Sequence, residues 1–446
     1  MVIGAPASGS GKTTVATGLM AALRHRGTTV AGAKVGPDYI DPGYHALATG
    51  RPGRNLDPVL LGEHRIAPLA AHGSAGADVC VVEGVMGLFD GRAGTAGFGS
   101  TAHVAALLGA PVLLVVDARG QGRSLAALLH GFRSFDPAVR ITGVVLNRVG
   151  SDRHEQVCRQ ACEEVGLDVL GALRRDDALA VPSRHLGLVT AAEHAAARQV
   201  VDTWGDAVAA QLDLDAVLRA AAGATSAAPW QPEREVRPVG GEPVVALAGG
   251  PAFSFGYAEH AELLAAAGAT VVTVDPLHDE SLPDGTAGLV LPGGFPEEHV
   301  GELSANIALR RQVATLAASG APIHAECGGL LYLTRALDGL PLCGVLDAEA
   351  TMTGRLTLGY RDAVAVSGSS LHPAGNRVTG HEFHRTTVTP RAGGRAHGEP
   401  AWGWANAAPE GFVQRRVHAS FLHTHPAGSP AAVQRFVAGC NREDPS

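Results

Sequence analysis

Pro6-Ala7-Ser8-Gly9-Ser10-Gly11-Lys12-Thr13-Thr14 follows a short apolar run, Met1-Val2-Ile3, and opens a segment in which Val15, Leu19 and Leu23 recur at helical spacing. Strand, glycine-rich turn and helix in that order make the setting of a phosphate loop. Backbone N–H groups of the turn and of the first helical turn converge on one spot, where the helix dipole favours an anion. Ser8 to Thr14 are therefore the expected nucleotide contacts, with Lys12 reaching the β/γ-phosphates and the Thr13 hydroxyl placed for Mg²⁺. Pro6 stands where the usual pattern begins with Gly, while Gly9 and Gly11 keep the freedom for close backbone approach. The plainer reading is a glycine turn at a helix start with a solvated Lys12.

The 446 residues are enough for two or three domains, and Gly (58 residues) with aliphatic side chains, rather than aromatics (4%), must supply the packing. That composition suits parallel sheets covered by helices. A formal net charge of -8 argues against nucleic acid or an acidic membrane as the main partner. The six cysteines form no CxxC pair, which points to a reducing cytoplasm, and Cys158 and Cys162, one helical turn apart, read as packing. The amino end is not expected to be a signal peptide, because Lys12 interrupts its apolar stretch. No apolar run has the length to span a bilayer.

Between residues 1 and 222, short Val/Ile-rich runs at 28–34, 79–84, 111–117 and 141–147 alternate with helix-length segments, the last of them an Ala-rich stretch from Ala191 to Leu218. This predicts a doubly wound parallel sheet with ligands at the carboxyl ends of its strands. One such end presents Asp38 and Asp41 from Lys34-Val35-Gly36-Pro37-Asp38-Tyr39-Ile40-Asp41, and another presents Glu83 and Asp90 from Glu83-Gly84-Val85-Met86-Gly87-Leu88-Phe89-Asp90. Glu83 and Asp38 are the expected partners of Thr13 at Mg²⁺, and Asp41 and Asp90 candidate substrate contacts, loop capping being the alternative for the aspartates. Asn147, at its strand end, can meet an adenine edge or make an Asx turn, and Arg184 suits a bidentate grip on a carboxylate. Residues 223–243 turn to Pro, Gly, Ser and alternating charge and read as a linker.

From 244 to 446 a second α/β pattern begins, with strands near 244–248, 270–274, 288–292 and 322–326. Pro322-Ile323-His324-Ala325-Glu326-Cys327-Gly328-Gly329-Leu330 reads as strand, tight turn with Cys327 at its apex, and helix, the nucleophile-elbow arrangement with a thiol. The helix start is expected to lower the pKa of Cys327, and Gly328 with Gly293 and Gly294 to cradle an oxyanion. Val417 to Pro426 supplies three candidate bases, His418, His423 and His425, on what reads as a continuous strand, with a metal site as the rival use of these histidines.

Taken in order, these motifs resemble the cobyrinate and hydrogenobyrinate a,c-diamide synthases of cobalamin biosynthesis over nearly the whole chain. Gly293-Gly294-Phe295-Pro296-Glu297, Leu358-Gly359-Tyr360-Arg361 and Gly380-His381-Glu382-Phe383-His384 also match. Gly249-Gly250-Pro251 departs from the family's usual Arg-Asp before Ala-Phe-Ser-Phe. The resemblance implies a dethiobiotin-synthetase-like, P-loop NTPase-like ATP-binding ligase domain at 1–222 and a class I glutamine amidotransferase-like domain at 244–446. Glutamine would be hydrolysed at Cys327 with His423 as base, and the ammonia would amidate the a and c carboxylates of the corrin through acyl phosphates. Where other amidotransferases carry Glu two residues beyond the catalytic His, this chain has His425, so a Cys-His dyad is expected rather than a triad. Arg361, His381 and His384 are candidate contacts for substrate carboxylates, with salt bridges as the alternative. Expected cofactors are ATP and Mg²⁺; expected partners are small molecules, with a homodimer left open. Another tetrapyrrole amidase, of the cobyric acid or nickel-sirohydrochlorin type, and a P-loop switch with an inactive amidotransferase domain are the rival readings.

Overall fold

The computed structural model describes residues 1–179, 183–184, 187–193, 196–222, 227–394 and 398–441, with backbone alone at 178, 183–184 and 187–188. The chain forms two compact units, Met1–Trp230 and Gln231–Ser446.

The first unit is built on seven strands: β1 (Val2–Gly4), β2 (Val30–Val35), β3 (Arg54–Leu56), β4 (Val79–Glu83), β5 (Val112–Asp117), β6 (Ile141–Val149) and β7 (Val169–Arg174). They lie parallel in the order β3-β2-β4-β1-β5-β6-β7. β1 and β2 are buried throughout, which is why they read as unbroken apolar or small-residue runs. The order puts β1 between β4 and β5, so the loops leaving β1 and β4 emerge side by side at the carboxyl edge. α1 (Lys12–His25) starts directly from the turn after β1 and packs its buried face, including Val15, Leu19, Met20 and Leu23, into the core. Two strands escape the sequence pattern: β3, which is three residues long and carries Arg54 and Asn55, and β7. The Ala-rich stretch is also not one helix. It gives Ala197–Gln211 and Leu214–Ala220, broken where Leu212 bridges to Gly171 and Asp213 caps the second helix through Ala216 N–H.

In the second unit a six-stranded sheet runs in the order 270–274, 244–248, 286–291, 323–326, 417–420, 412–414, all parallel except the last. A second sheet is organised by a long antiparallel hairpin, Glu349–Ala365 with Arg377–Thr389, in which Gly359 faces Glu382 and Tyr360 faces His381. The two motifs around 358–361 and 380–384 are thus paired strands of one hairpin.

The strand expected through His418, His423 and His425 stops at Ser420. Beyond it the chain turns, and His423 exchanges both backbone hydrogen bonds with His381 at 2.9 Å. A two-residue side-chain period therefore does not carry from His418 to the later histidines.

Candidate functional site

In the first unit the phosphate loop is held by backbone demands before any side chain acts. Gly9 and Gly11 take φ of 77° and 95°, and a methyl group on Gly11 would collide with the Asn147 amide. That amide donates to Ser10 O at 2.9 Å while its Oδ1 accepts from Arg148 N–H. Asn147 therefore braces the loop. Arg148, to which sequence reasoning assigns nothing, reaches Gly9 O at 2.7 Å and Asp117 at 2.6 Å. Ser8 is exposed at the loop tip, and Thr14 is half-buried in the first turn of α1.

Lys12 is buried, and its ammonium donates to the carbonyls of Ala7 and Met86. Burial, helped by repulsion from Lys34, lowers its pKa to about 8. Thr13 Oγ1 donates to Glu83 Oε1 at 2.7 Å and lies 3.5 Å from Asp41 Oδ2.

The sheet register explains the rest of this cluster. Lys34 and Glu83 are directly paired on β2 and β4, so the ammonium reaches Glu83 Oε1 at 2.9 Å and extends to Asp41 Oδ2 at 2.6 Å. His45, from α2 (Asp41–Thr49), meets Glu83 Oε2 at 2.7 Å. Although burial opposes ionisation, Lys34 and the bonds from His45 and Thr13 hold Glu83 well below the usual carboxylate range. Burial and the charges of Asp38 and Glu83 push Asp41 the other way. The two aspartates therefore differ in their surroundings. Asp38 caps the following turn, accepting from Ile40 and Asp41 N–H at 2.8 and 3.0 Å, whereas buried Asp41 joins Thr13, Lys34 and Glu83. Asp90 is exposed, with Oδ2 closing the turn onto Gly87 N–H. The side chain of Arg184 lies outside the described residues.

In the second unit Cys327 sits at φ 46°, ψ -99°, between the strand Ile323–Glu326 and the helix Gly328–Leu333. A non-glycine residue at positive φ is strained, and strain of this kind gathers at working sites. The backbone after it is tightly packed: a methyl group on Gly328 would lie 3.0 Å from Gly294 N and 3.4 Å from the Gly293 carbonyl carbon. A methyl group on Gly293 would strike the His423 ring. Gly328 beside Cys327 thus lies against Gly293 and Gly294, and Gly293 against His423.

The electrostatics differ from expectation. Burial, together with Glu297, Glu326 and Glu382, raises the Cys327 thiol well above its ordinary pKa and outweighs the Gly328 N–H at the start of a six-residue helix. Burial likewise lowers His423, to about 4. Burial thus disfavours the charged form of each group.

The other histidines have different company. His418 pairs with His324 across the sheet and packs against Trp402. His425 stacks on Tyr257 at 4.0 Å and accepts from Ala427 N–H. His384 lies flat on Phe421 at 3.8 Å, and Arg361 binds Glu382 at 2.6 Å across the hairpin. Among the described residues no group of three or more His, Cys, Asp or Glu converges in metal-binding geometry. All six cysteines are free, with Cys158 and Cys162 buried. No described helix is long and apolar enough to cross a membrane.

Residues 1–189 match the CobQ/CobB/MinD/ParA nucleotide binding domain, and residues 244–431 the CobB/CobQ-like glutamine amidotransferase domain. The chain is 60% identical to the hydrogenobyrinate a,c-diamide synthase of Mycobacterium tuberculosis, over 99% of this chain and 98% of that one. The chain belongs to the hydrogenobyrinate and cobyrinate a,c-diamide synthase family. The hydrogenobyrinate a,c-diamide synthase of Streptomyces coelicolor is 58% identical (99% and 97% covered), and the cobyrinate a,c-diamide synthase of Gloeobacter violaceus 44% identical (99% and 96%). A nucleotide-binding domain followed by a glutamine amidotransferase domain makes this member of the family a glutamine-dependent amide ligase.

One buried carboxyl in this synthase gives a measurable pH effect. Glu410 accepts from Ser420 Oγ and Phe421 N–H, both at 2.7 Å, and so holds the turn leading to His423. Burial pushes its pKa up to about 7. A carboxyl raised on folding contributes stability that is full below its unfolded value and is lost as pH rises through the folded one. Between pH 5 and 8 the wild type should therefore lose about 2–3 kcal/mol relative to Glu410→Gln, read from urea midpoints. A gap that stays constant with pH would assign the titration elsewhere.

Proposed function

We propose that this chain converts hydrogenobyrinate or cobyrinate to its a,c-diamide, using ATP to activate each carboxylate and glutamine as the nitrogen source. A carboxylate oxygen attacks the γ-phosphorus of ATP and ADP departs. Ammonia then adds to the acyl carbon of the acyl phosphate, and phosphate leaves. Lys12 and the loop amides take up the charge that moves during phosphoryl transfer. Thr13, Glu83 and Asp41 would hold Mg²⁺. Hydroxyl and carboxylate oxygens from three elements, 2.7 to 3.5 Å apart, are the hard donors this ion takes, and it ordinarily completes its shell with water and nucleotide phosphates. When bound it supplies neutralisation of the phosphate oxygens.

At the second centre His423, neutral at rest, takes the thiol proton as Cys327 Sγ attacks the glutamine carboxamide. The oxyanion that forms faces the glycine backbone at 293–294 and 328. Asp90, exposed beside the phosphate loop, is a remaining candidate contact for the substrate. The observation that carries the reading is the strained Cys327 turn packed on Gly293 and Gly294, with the His423 ring against Gly293, in a chain that also holds the Lys12–Thr13–Glu83 cluster. Mass spectrometry of products formed from hydrogenobyrinate and from cobyrinate with ATP, Mg²⁺ and glutamine tests it. Two carboxyl-to-amide conversions are expected with at least one of them, and no amide gained with either would overturn the reading.

A further inference from the structure

The position two residues beyond His423 is His425, which is committed to Tyr257 and to the turn at Ala427. An imidazole acting as base needs a group on its second nitrogen to fix its tautomer and its aim. Two carboxylates bear on His423, and they differ in their commitments. Glu382 is held by the Arg361 guanidinium at 2.6 Å on the hairpin. Glu326, the residue immediately before the thiol, is buried with Oε2 3.8 Å from His423 Nδ1.

Its other oxygen anchors it. Oε1 accepts from Thr424 N–H at 3.0 Å, from Thr424 Oγ1 at 2.8 Å and lies 3.2 Å from His324 Nε2. Thr424 directly follows His423, so one carboxylate side chain ties the residue before the thiol to the segment that carries the imidazole. We infer that Glu326 is the positioning residue of the amidotransferase centre, its carboxylate facing Nδ1 of His423 and favouring the Nδ1–H tautomer, so that Nε2 is left unprotonated to take the thiol proton. Burial opposes the charge this requires, and the bonds from His324 and Thr424 nevertheless hold Glu326 down to about 2. The carboxylate stays ionised throughout; it takes no proton.

This rests on the thiol chemistry proposed above, and Cys327→Ala, measured alongside, separates the two. Glutamine hydrolysis surviving in Cys327→Ala would reject the thiol itself. Glutamine hydrolysis lost in Cys327→Ala but within about threefold of wild type in Glu326→Gln would reject only Glu326. The expected result for Glu326→Gln is a fall of about 10²-fold in glutamine kcat, with glutamine KM and ammonium-supported amidation each within about threefold of wild type. Glu326→Asp should recover to within about tenfold of wild type. A parallel fall in ammonium-supported amidation would make Glu326 a scaffold residue and overturn the inference. Nitrogen-15 shifts of the His423 ring give a readout without turnover. They should report the Nδ1–H tautomer in the wild type and a mixture in Glu326→Gln; identical shifts in both would also overturn it.

Discussion

Replacing Cys327 by Ala should abolish glutamine-dependent diamide formation, by about 10³-fold or more, while leaving amidation from added ammonium within about threefold of wild type. The reason is local. Cys327 is strained at positive φ between a buried strand and a short helix, and the atoms that press on the turn are the backbone of 293–294 and Pro296. Alanine keeps that backbone and removes only sulfur. Nothing in the Lys12 cluster is touched, because its members come from β2, β4, α1 and α2 of the first unit. The assay is amide formation with each nitrogen source at saturating ATP. Loss with both sources would mean that the two centres cannot be separated.

Lys12→Ala should fail with either nitrogen source, by at least about 10²–10³-fold. The ammonium is buried, and burial with the nearby Lys34 already lowers its pKa to about 8, so a phosphate arriving at the loop both favours its charged form further and gains a desolvated partner. Removing it also strips a donor from the Ala7 and Met86 carbonyls. Glutamine hydrolysis measured by itself in Lys12→Ala should persist, which separates this lesion from general unfolding. Amidation retained with ammonium would remove nucleotide chemistry from the first unit.

Much of both sites is legible in the residue order, for reasons of backbone geometry. A glycine turn between a buried strand and a helix declares itself locally, and so does a thiol at the apex of a strand-to-helix turn. What is not legible depends on register between distant strands. Lys34 and Glu83 are 49 residues apart and meet only because β2 and β4 pair them. Asp38 and Asp41 are both loop carboxylates in the sequence, and only the start of α2 decides that one caps while the other turns inward. The hairpin of 349–365 and 377–389 escapes prediction because its first strand is largely half-exposed, breaks register between Met352 and Thr357 and shows no clean alternation. Glu326 and Glu410 are single acidic residues in apolar surroundings, and nothing near them in sequence names their partners.

Neither of the two main sheets borrows a strand across the boundary at Trp230 and Gln231 among the described residues. Each half therefore closes its own hydrogen-bond ladder from its own stretch of gene. Point changes that wreck one ladder are confined, at the level of strand pairing, to the half that encodes it, and recombination at the boundary would exchange whole scaffolds rather than fragments of one.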